Sequence, residues 1–127
     1  MMSADAARDR RRRAWRLGLT AEALCAWHLR LRGYRILARR FRTPVGEIDI
    51  VARRGGVLAV IEVKARRDRA TAVEALGGAQ RRRIVRAAEA FMAARPDCAG
   101  LAIRFDVMVV GGWAPPRHLT DAWRPHA

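Results

Sequence analysis

The chain has 127 residues, a length that fits one domain able to bury roughly two-thirds of its unfolded surface and that argues against two independent domains. Lys and Arg total 26 and Asp and Glu total 12, so the formal net charge is +14. Abundant alanine makes the 51% hydrophobic fraction an overestimate of the core-forming residues, but a mean hydropathy of −0.15 and 6% aromatic residues are typical of a globular protein rather than a disordered tail. Such a charge attracts polyanions, although a coding bias across a whole proteome also produces an arginine-rich composition.

The two cysteines, Cys25 and Cys98, belong to no Cys-x-x-Cys motif or Cys/His cluster. This pattern argues against a zinc site and indicates a reducing compartment. No apolar stretch approaches the ~18 residues of a membrane span, and no apolar run of secretory length follows the basic N-terminus. We therefore expect a cytoplasmic protein that has no membrane partner.

The N-terminal residues 1–13 are polar and basic, and we predict that they form an arm before one domain over residues 14–127. The arm is either a solvated helix start or a segment that contacts phosphates. The first predicted helix spans residues 14–32, and Gly33 after it is typical of a C-terminal cap. Apolar spacing predicts that its core-facing stripe contains Leu17, Ala21, Leu24, His28 and Leu31.

Three strands follow, separated by glycine and proline residues. We predict strands over residues 34–41, 47–53 and 57–65, the last two joined by a Gly-Gly hairpin turn. A second helix over residues 78–95, a strand over residues 101–110 and a short C-terminal edge strand over residues 118–123 complete the chain. The order α-β-β-β-α-β predicts an α/β fold with a mixed sheet flanked by helices.

The predicted hairpin carries charged side chains inside otherwise apolar strands. With a two-residue turn, strand alternation places Asp49 opposite Glu62 and Glu47 opposite Lys64. Two opposed carboxylates repel each other unless something neutralises them. A divalent cation such as Mg²⁺ would do so and would activate a water for attack on a phosphodiester. An ion-pair network without catalysis is the alternative.

Lys64 is the only lysine of the chain, since the other members of the 26 basic residues are arginine. It follows Glu62 by two residues and therefore lies on the same face of its strand. A compact ammonium there suits the orientation or deprotonation of a water and the stabilisation of charge that develops at phosphorus.

Asp49, followed on the next strand by Glu62-Val63-Lys64, resembles the PD-(D/E)xK core of restriction-endonuclease-like nucleases. Further blocks in order resemble a YraN-like, uncharacterised bacterial family. Those blocks are Gly18 with Glu22, Gly33-Tyr34-Arg35-Ile36-Leu37, Gly46-Glu47-Ile48-Asp49, Arg104-Phe105-Asp106-Val107 and His118-Leu119-Thr120-Asp121-Ala122-Trp123. The resemblance extends from residue 17 to the end of the chain.

The resemblance implies a nuclease-type, restriction-endonuclease-like core related to archaeal Holliday-junction resolvases. Asp49 and Glu62 would bind Mg²⁺ or Mn²⁺, with the main-chain carbonyl of Val63 as a further ligand. Glu22 would complete or support this metal site. The implied catalytic residues are Glu22, Asp49, Glu62 and Lys64, and the implied supporting residues are Glu47 and Gln80.

Paired arginines occur at the ends of elements that flank the predicted site, where they hold a phosphate backbone or simply face solvent. The predicted nucleic-acid-binding residues are Arg39, Arg40, Arg53, Arg54, Arg66, Arg67, Arg81 and Arg82. We expect Asp106 to be a buried partner of an arginine in its Arg-Phe-Asp block. The four scattered tryptophans are expected to pack at core edges rather than to stack on bases.

These features predict metal-dependent hydrolysis of nucleic-acid phosphodiesters, with DNA as the favoured partner. Branched or otherwise structured DNA follows only by analogy with the resolvases, and cleavage of both strands of a symmetric junction would call for a homodimer. The main alternative is a nucleic-acid-binding protein that keeps the fold but cleaves nothing. A small interaction protein, whose charge is only compositional, is the third hypothesis.

Overall fold

A five-stranded sheet with α-helices on both faces forms the core of the structure, a computed structural model that describes residues 20–65, 76–111 and 115–125. In chain order the elements are α1 (Ala21–Leu31), β1 (Arg35–Thr43), β2 (Gly46–Arg54), β3 (Val57–Lys64), α2 (Gly78–Ala94), a 3₁₀ turn (Pro96–Cys98), β4 (Ala102–Val109) and β5 (Arg117–Trp123). The strands lie in sequence order across the sheet, and β3 and β4 are its parallel pair. The predicted α/β fold with a mixed sheet is confirmed.

The β2–β3 hairpin has the predicted two-residue turn. Gly55 has a positive φ of 58°, a conformation that glycine adopts without strain. The pairing runs in the predicted register from Arg54 with Val57 to Ile50 with Ile61. The ladder therefore stops one position before the two predicted carboxylates.

Helix α2 is the crossover between the parallel strands β3 and β4. Its buried residues include Ile84, Ala88 and Phe91, the three positions that the sequence predicted to face inward. They pack against one face of the sheet, whose buried residues include Leu58, Val60, Phe105 and Val107. The short edge strand β5 then pairs antiparallel with β4, as predicted.

Helix α1 begins later than the sequence predicted. Thr20 is its N-cap, with an extended backbone and a hydroxyl that accepts a hydrogen bond from the amide of Ala23 at 3.1 Å. Because an N-cap residue lies outside the helical conformation, the prediction of one continuous helix over residues 14–32 is wrong. The predicted arm over residues 1–13 lies outside the described residues.

The buried face of α1 also differs from the predicted stripe. Its buried row includes Cys25, Ala26 and Leu29, which pack on the opposite face of the sheet from α2, whereas Leu31 is 85% exposed. The helix carries two apolar rows, and the row with the smaller side chains lets the helix lie closer to the sheet. Glu22 belongs to this buried row, and His28, from the predicted stripe, is half-buried at its side.

The Arg-Phe-Asp block of β4 forms the predicted buried ion pair. Arg104 donates two hydrogen bonds to the fully buried carboxylate of Asp106, at 2.9 and 2.8 Å. His118 Nε2 lies 2.7 Å from the same carboxylate, and the amide of Asp121 donates to it at 2.9 Å. Burial alone would raise the pKa of Asp106, but these hydrogen bonds outweigh it and lower the pKa. The carboxylate thus ties β4 to β5.

Two of the four tryptophans lie in the described residues, and they differ in burial. Trp123 is 5% exposed, and its ring centroid lies 4.4 Å from that of Phe105, as expected for packing at the edge of the core. Trp27 is 56% exposed on α1. Trp15 and Trp113 lie outside the described residues.

Both cysteines are buried and free of disulfides. Burial raises the pKa of the Cys25 thiol to about 12, and the nearby carboxylates of Asp49 and Glu22 add to the effect. A thiol with so high a pKa is inert as a nucleophile at neutral pH.

The described helices also include no candidate for a membrane span, since none combines the required length with the required hydropathy.

Gly46 sets the distance between β2 and α2. A Cβ atom at this position would collide with the carbonyl oxygen of Arg83 in α2 and would lie 2.8 Å from its carbonyl carbon. Only glycine permits so close an approach of two backbones. The contact holds the first part of α2 against the beginning of β2, three residues before Asp49.

We expect Gly46→Ala to lower the free energy of unfolding by about 1–3 kcal/mol, because the backbone of α2 must move away from β2. Urea denaturation followed by circular dichroism measures this change. Gly56→Ala is the matched control, since a Cβ there meets no atom within 4 Å. The control should stay within about 0.5 kcal/mol of the wild type. Equal destabilisation by the two substitutions would contradict the packing role of Gly46.

Candidate functional site

The carboxylate of Asp49 lies where the β2–β3 ladder ends. Beyond the last pair, the amide of Val63 donates a hydrogen bond to Asp49 Oδ2 at 2.8 Å. The side chain of Asp49 therefore takes the place of a main-chain acceptor on β2. This bond fixes the carboxylate against the end of β3, next to Glu62.

Glu62 is buried, with only 6% of its surface exposed. Its Oε2 atom accepts a weak hydrogen bond from Gln80 Nε2 of α2 at 3.5 Å, and its Oε1 atom has no hydrogen-bond partner in the described part of the chain. Burial raises the pKa of Glu62 to about 8, and the neighbouring carboxyl group of Asp49 adds to this effect, whereas the charge of Lys64 and the backbone of Asp49 lower the pKa. A carboxyl group in these surroundings takes up either a proton or a cation.

The donor set at this point fits a hard divalent cation. Two neighbouring carboxyl groups, one of them with an unpartnered buried oxygen, supply the oxygen ligands that Mg²⁺ prefers. Across the described residues, no group of three His, Cys, Asp or Glu side chains could hold a metal ion. Mg²⁺ commonly uses one or two carboxylates and keeps several waters, so two acidic residues suffice for it.

Glu22 of α1 reaches the same end of the sheet, but both of its oxygens are occupied. Arg39 Nε donates to Oε1 at 2.8 Å, and Arg40 Nε donates to Oε2 at 2.7 Å. Glu22 and Asp49 line the same small cavity, of about 110 Å³. This geometry favours the supporting role for Glu22 over direct binding of a cation.

Lys64 and Glu47 do not form the predicted cross-strand pair, because the ladder stops before them. Glu47 lies opposite Arg42 of β1, with 3.5 Å between Glu47 Oε2 and Arg42 Nε. This pair is exposed, so it contributes little stability. Lys64 is half-buried, two residues beyond Glu62 on β3, and its positive charge lowers the pKa of that carboxyl. The structure thus keeps Lys64 beside Glu62 and places Glu47 at the rim.

The predicted nucleic-acid-binding arginines are not all near the carboxylates. Arg39 and Arg40 lie near the carboxylates, because both bind Glu22. Arg53 and Arg54 lie at the opposite end of the hairpin, next to its turn. There the guanidinium of Arg54 lies 4.4 Å from the ring centroid of Tyr34. The expectation that every arginine pair flanks the site is wrong for these two, because the hairpin turn separates them from the strand ends.

The remaining two pairs differ in what the structure describes. Arg66 and Arg67 lie outside the described residues. Arg81 and Arg82, at the beginning of α2, line a groove between α2 and β5. Their neighbour Gln80 points to Glu62 instead, so α2 contributes to the carboxylate pair and to the groove from adjacent positions.

The sequence did not predict the two ion pairs of Glu22 with Arg39 and Arg40, which we call the Glu22 clamp. A signal existed, since Glu22 shares its helical row with Cys25, Ala26 and Leu29, and a glutamate in an apolar row needs a buried partner. Its partners lie on β1, 17 and 18 residues further along the chain. Nothing in the local pattern identifies which arginines these are.

The raised pKa of Glu62 makes the stability of the cation-free protein fall as pH rises. The carboxyl titrates at about 8 in the folded chain and at the ordinary value of 4.5 when unfolded. Between these values the folded state binds more protons, so its stability decreases with pH. We expect Glu62→Gln to match the wild type at about pH 5 and to exceed it by roughly 2–4 kcal/mol at about pH 9.

Chemical denaturation of both proteins at the two pH values, with a chelator present, measures this difference. Asp97→Asn is the control, because it removes one negative charge at an exposed position of the 3₁₀ turn. The control should show no gain in stability at high pH. Parallel pH dependence of wild type and Glu62→Gln would contradict a proton held on Glu62.

Comparison with known proteins identifies the family. The model of the uncharacterised protein family UPF0102 matches residues 21–110. A UPF0102 protein of Parvibaculum lavamentivorans is 54% identical over 112 residues, which cover 88% of this chain and 84% of that protein. A UPF0102 protein of Chelativorans sp. is 50% identical, and the match covers 92% of this chain and 94% of that protein. A UPF0102 protein of Sinorhizobium medicae is 44% identical, and the match covers 96% of this chain and 100% of that protein. The YraN-like resemblance is thus confirmed, and the chain belongs to the uncharacterised protein family UPF0102.

Proposed function

We propose that this protein hydrolyses phosphodiester bonds of nucleic acid with a divalent cation held by Asp49 and Glu62. The observation that carries the proposal is the buried carboxyl of Glu62, which has an unpartnered oxygen and lies against a second carboxyl group. Such a pair is unfavourable in an apolar strand unless a proton or a cation compensates it. A divalent cation bound here would compensate the two negative charges and would also activate a water for hydrolysis.

The residues around the pair have separate roles in this proposal. Asp49, Glu62 and the main-chain carbonyl of Val63 hold Mg²⁺ or Mn²⁺, which when bound lowers the pKa of a water and offsets charge on the phosphodiester. Lys64 orients or deprotonates the attacking water and stabilises the negative charge that develops on the phosphoryl oxygens. Gln80 keeps the Glu62 carboxyl in place through its amide.

Positive charge supplies the attraction for the substrate. The net charge of +14 and the arginines at the rim favour a polyanion, and contacts to phosphates position a nucleic acid without regard to sequence. DNA is the favoured partner, and branched or structured DNA is the favoured substrate through the resemblance to resolvases. Cutting both strands of a symmetric junction would require two copies of the chain.

A nucleic-acid-binding protein without cleavage is the second candidate function. It is favoured by the clamp on Glu22, because Arg39 and Arg40 occupy both oxygens of the third acidic residue. The site then offers two carboxylates to a cation rather than three. The two functions differ in the effect of Asp49, whose negative charge aids hydrolysis but opposes the binding of phosphate.

The test is a cleavage assay on labelled linear duplex, single strand, flap, four-way junction and RNA hairpin, with Mg²⁺ or Mn²⁺. We expect metal-dependent cutting of at least one substrate, and a loss of roughly hundredfold or more in Asp49→Asn and Lys64→Ala. Asp97→Asn, which changes an exposed carboxylate on the 3₁₀ turn, should retain wild-type activity.

A second measurement separates metal binding from activity. Mn²⁺ should raise the melting temperature of the wild type and of Asp97→Asn but not that of Asp49→Asn, because a cation that binds only the folded state stabilises it. Absence of cleavage on every substrate, together with tighter nucleic-acid binding by Asp49→Asn, would reject the nuclease and establish the binding protein.

A further inference from the structure

Four of the nine residues that line a groove between α2 and β5 are arginines. Its volume is about 430 Å³, and we call it the α2–β5 groove; its polar lining residues are Arg81, Arg82, Arg86, Glu89, Trp123 and Arg124. Glu89 is the only acidic residue among the described lining residues. The groove is therefore a concave, strongly positive surface on the same helix as Gln80.

Most of these arginines lack a counter-charge. Arg124 forms an ion pair with Asp121, with 2.7 Å between Arg124 Nη2 and Asp121 Oδ2. Within residues 20–65, 76–111 and 115–125, no ion pair involves Arg81, Arg82 or Arg86. Three guanidinium groups on one side of a helix repel each other, and an anion in the groove would relieve that repulsion.

Two buried hydrogen-bond donors at the groove have no acceptor. Trp123 Nε1 and Arg81 Nε are both buried and lack a hydrogen-bond partner in the described structure. The Arg81 guanidinium carbon lies 5.6 Å from the centroid of the Trp123 ring, so the two side chains lie together at one wall of the groove. Indole and guanidinium groups only donate, and buried polar groups in native proteins are normally paired. The missing partner is therefore an acceptor.

We propose that the α2–β5 groove binds a phosphate group, with Trp123 and Arg81 as its donors and with Arg82 and Arg86 beside it. Phosphate offers several acceptor oxygens and a negative charge, and arginine forks match its geometry. The group belongs either to a free phosphate or mononucleotide or to the backbone of a polynucleotide. Binding in the groove requires no hydrolysis at Asp49 and Glu62, so the proposal stands apart from the proposed nuclease function.

The test follows the indole N–H signals of the tryptophans in ¹⁵N-labelled protein while inorganic phosphate is added. We expect the Trp123 signal, assigned by its loss in Trp123→Phe, to shift and saturate, while that of Trp27 on α1 stays in place. Should Trp123→Phe fail to fold, triple-resonance assignment of the wild type replaces it. A Trp123 signal that moves no more than that of Trp27 would overturn the proposal.

Affinity in two matched variants gives the second readout. Arg81→Gln should weaken phosphate binding about tenfold through the loss of a charged hydrogen bond. Arg117→Gln removes the same charge from an exposed position of β5 that does not line the groove, and it should change affinity by less than about twofold. Equal losses in the two variants would show attraction to a basic surface only and would overturn the proposal.

The source of the phosphate is decided by comparing inorganic phosphate, a 5′-mononucleotide and a short single-stranded oligonucleotide. Tighter binding of the oligonucleotide, still dependent on Arg81, assigns the groove to a polynucleotide backbone. Binding of only the two small ligands assigns it to a free phosphate. Either result supports a phosphate site, and binding of none of the three rejects it.

Discussion

The burial of one carboxyl group against another is the constraint on which the candidate site depends. Glu62 lies on a strand whose neighbours are apolar and buried, and Asp49 is held beside it by the amide of Val63. A proton or a cation that reduces the charge of the pair lowers the free-energy cost of burying it. The raised pKa of Glu62, its unpartnered oxygen and the proposed cation are thus three consequences of one arrangement.

The surroundings of this pair are held by contacts between elements that are distant in the chain. Gly46 allows α2 to approach β2, which brings Gln80 to Glu62. On the other side of the pair, Glu22 of α1 accepts hydrogen bonds from Arg39 and Arg40 of β1. The backbone of Arg40 has a positive φ of 52°. A non-glycine residue in that conformation is strained and is maintained by its surroundings, as at many functional sites.

Much of the sheet and part of the site could be predicted from the sequence. The alternation of β2 and β3, with a Gly-Gly turn between them, predicts the register that brings Asp49 and Glu62 to the same end of the hairpin. The sequence pattern failed to predict the buried face of α1, because this helix has two apolar rows with the same spacing. The predicted row is only partly buried and ends at the exposed Leu31. The sequence pattern also failed to predict where the pairing of β2 with β3 ends. The predicted register continues to Glu47 opposite Lys64, but the last observed pair is Ile50 with Ile61.

Local sequence patterns suffice to predict the order of the elements, the hairpin and the neighbourhood of the two carboxyl groups, because turn length and alternation act over short stretches of chain. The ion pairs of Glu22 with two arginines, and the contact of Arg81 with Trp123 in which neither N–H donor has an acceptor, are instead visible only in the folded protein. These contacts join residues far apart in the chain through the packing of helices on a sheet. The spacing of apolar residues along one helix or strand does not predict such contacts, because they depend on how whole elements pack together.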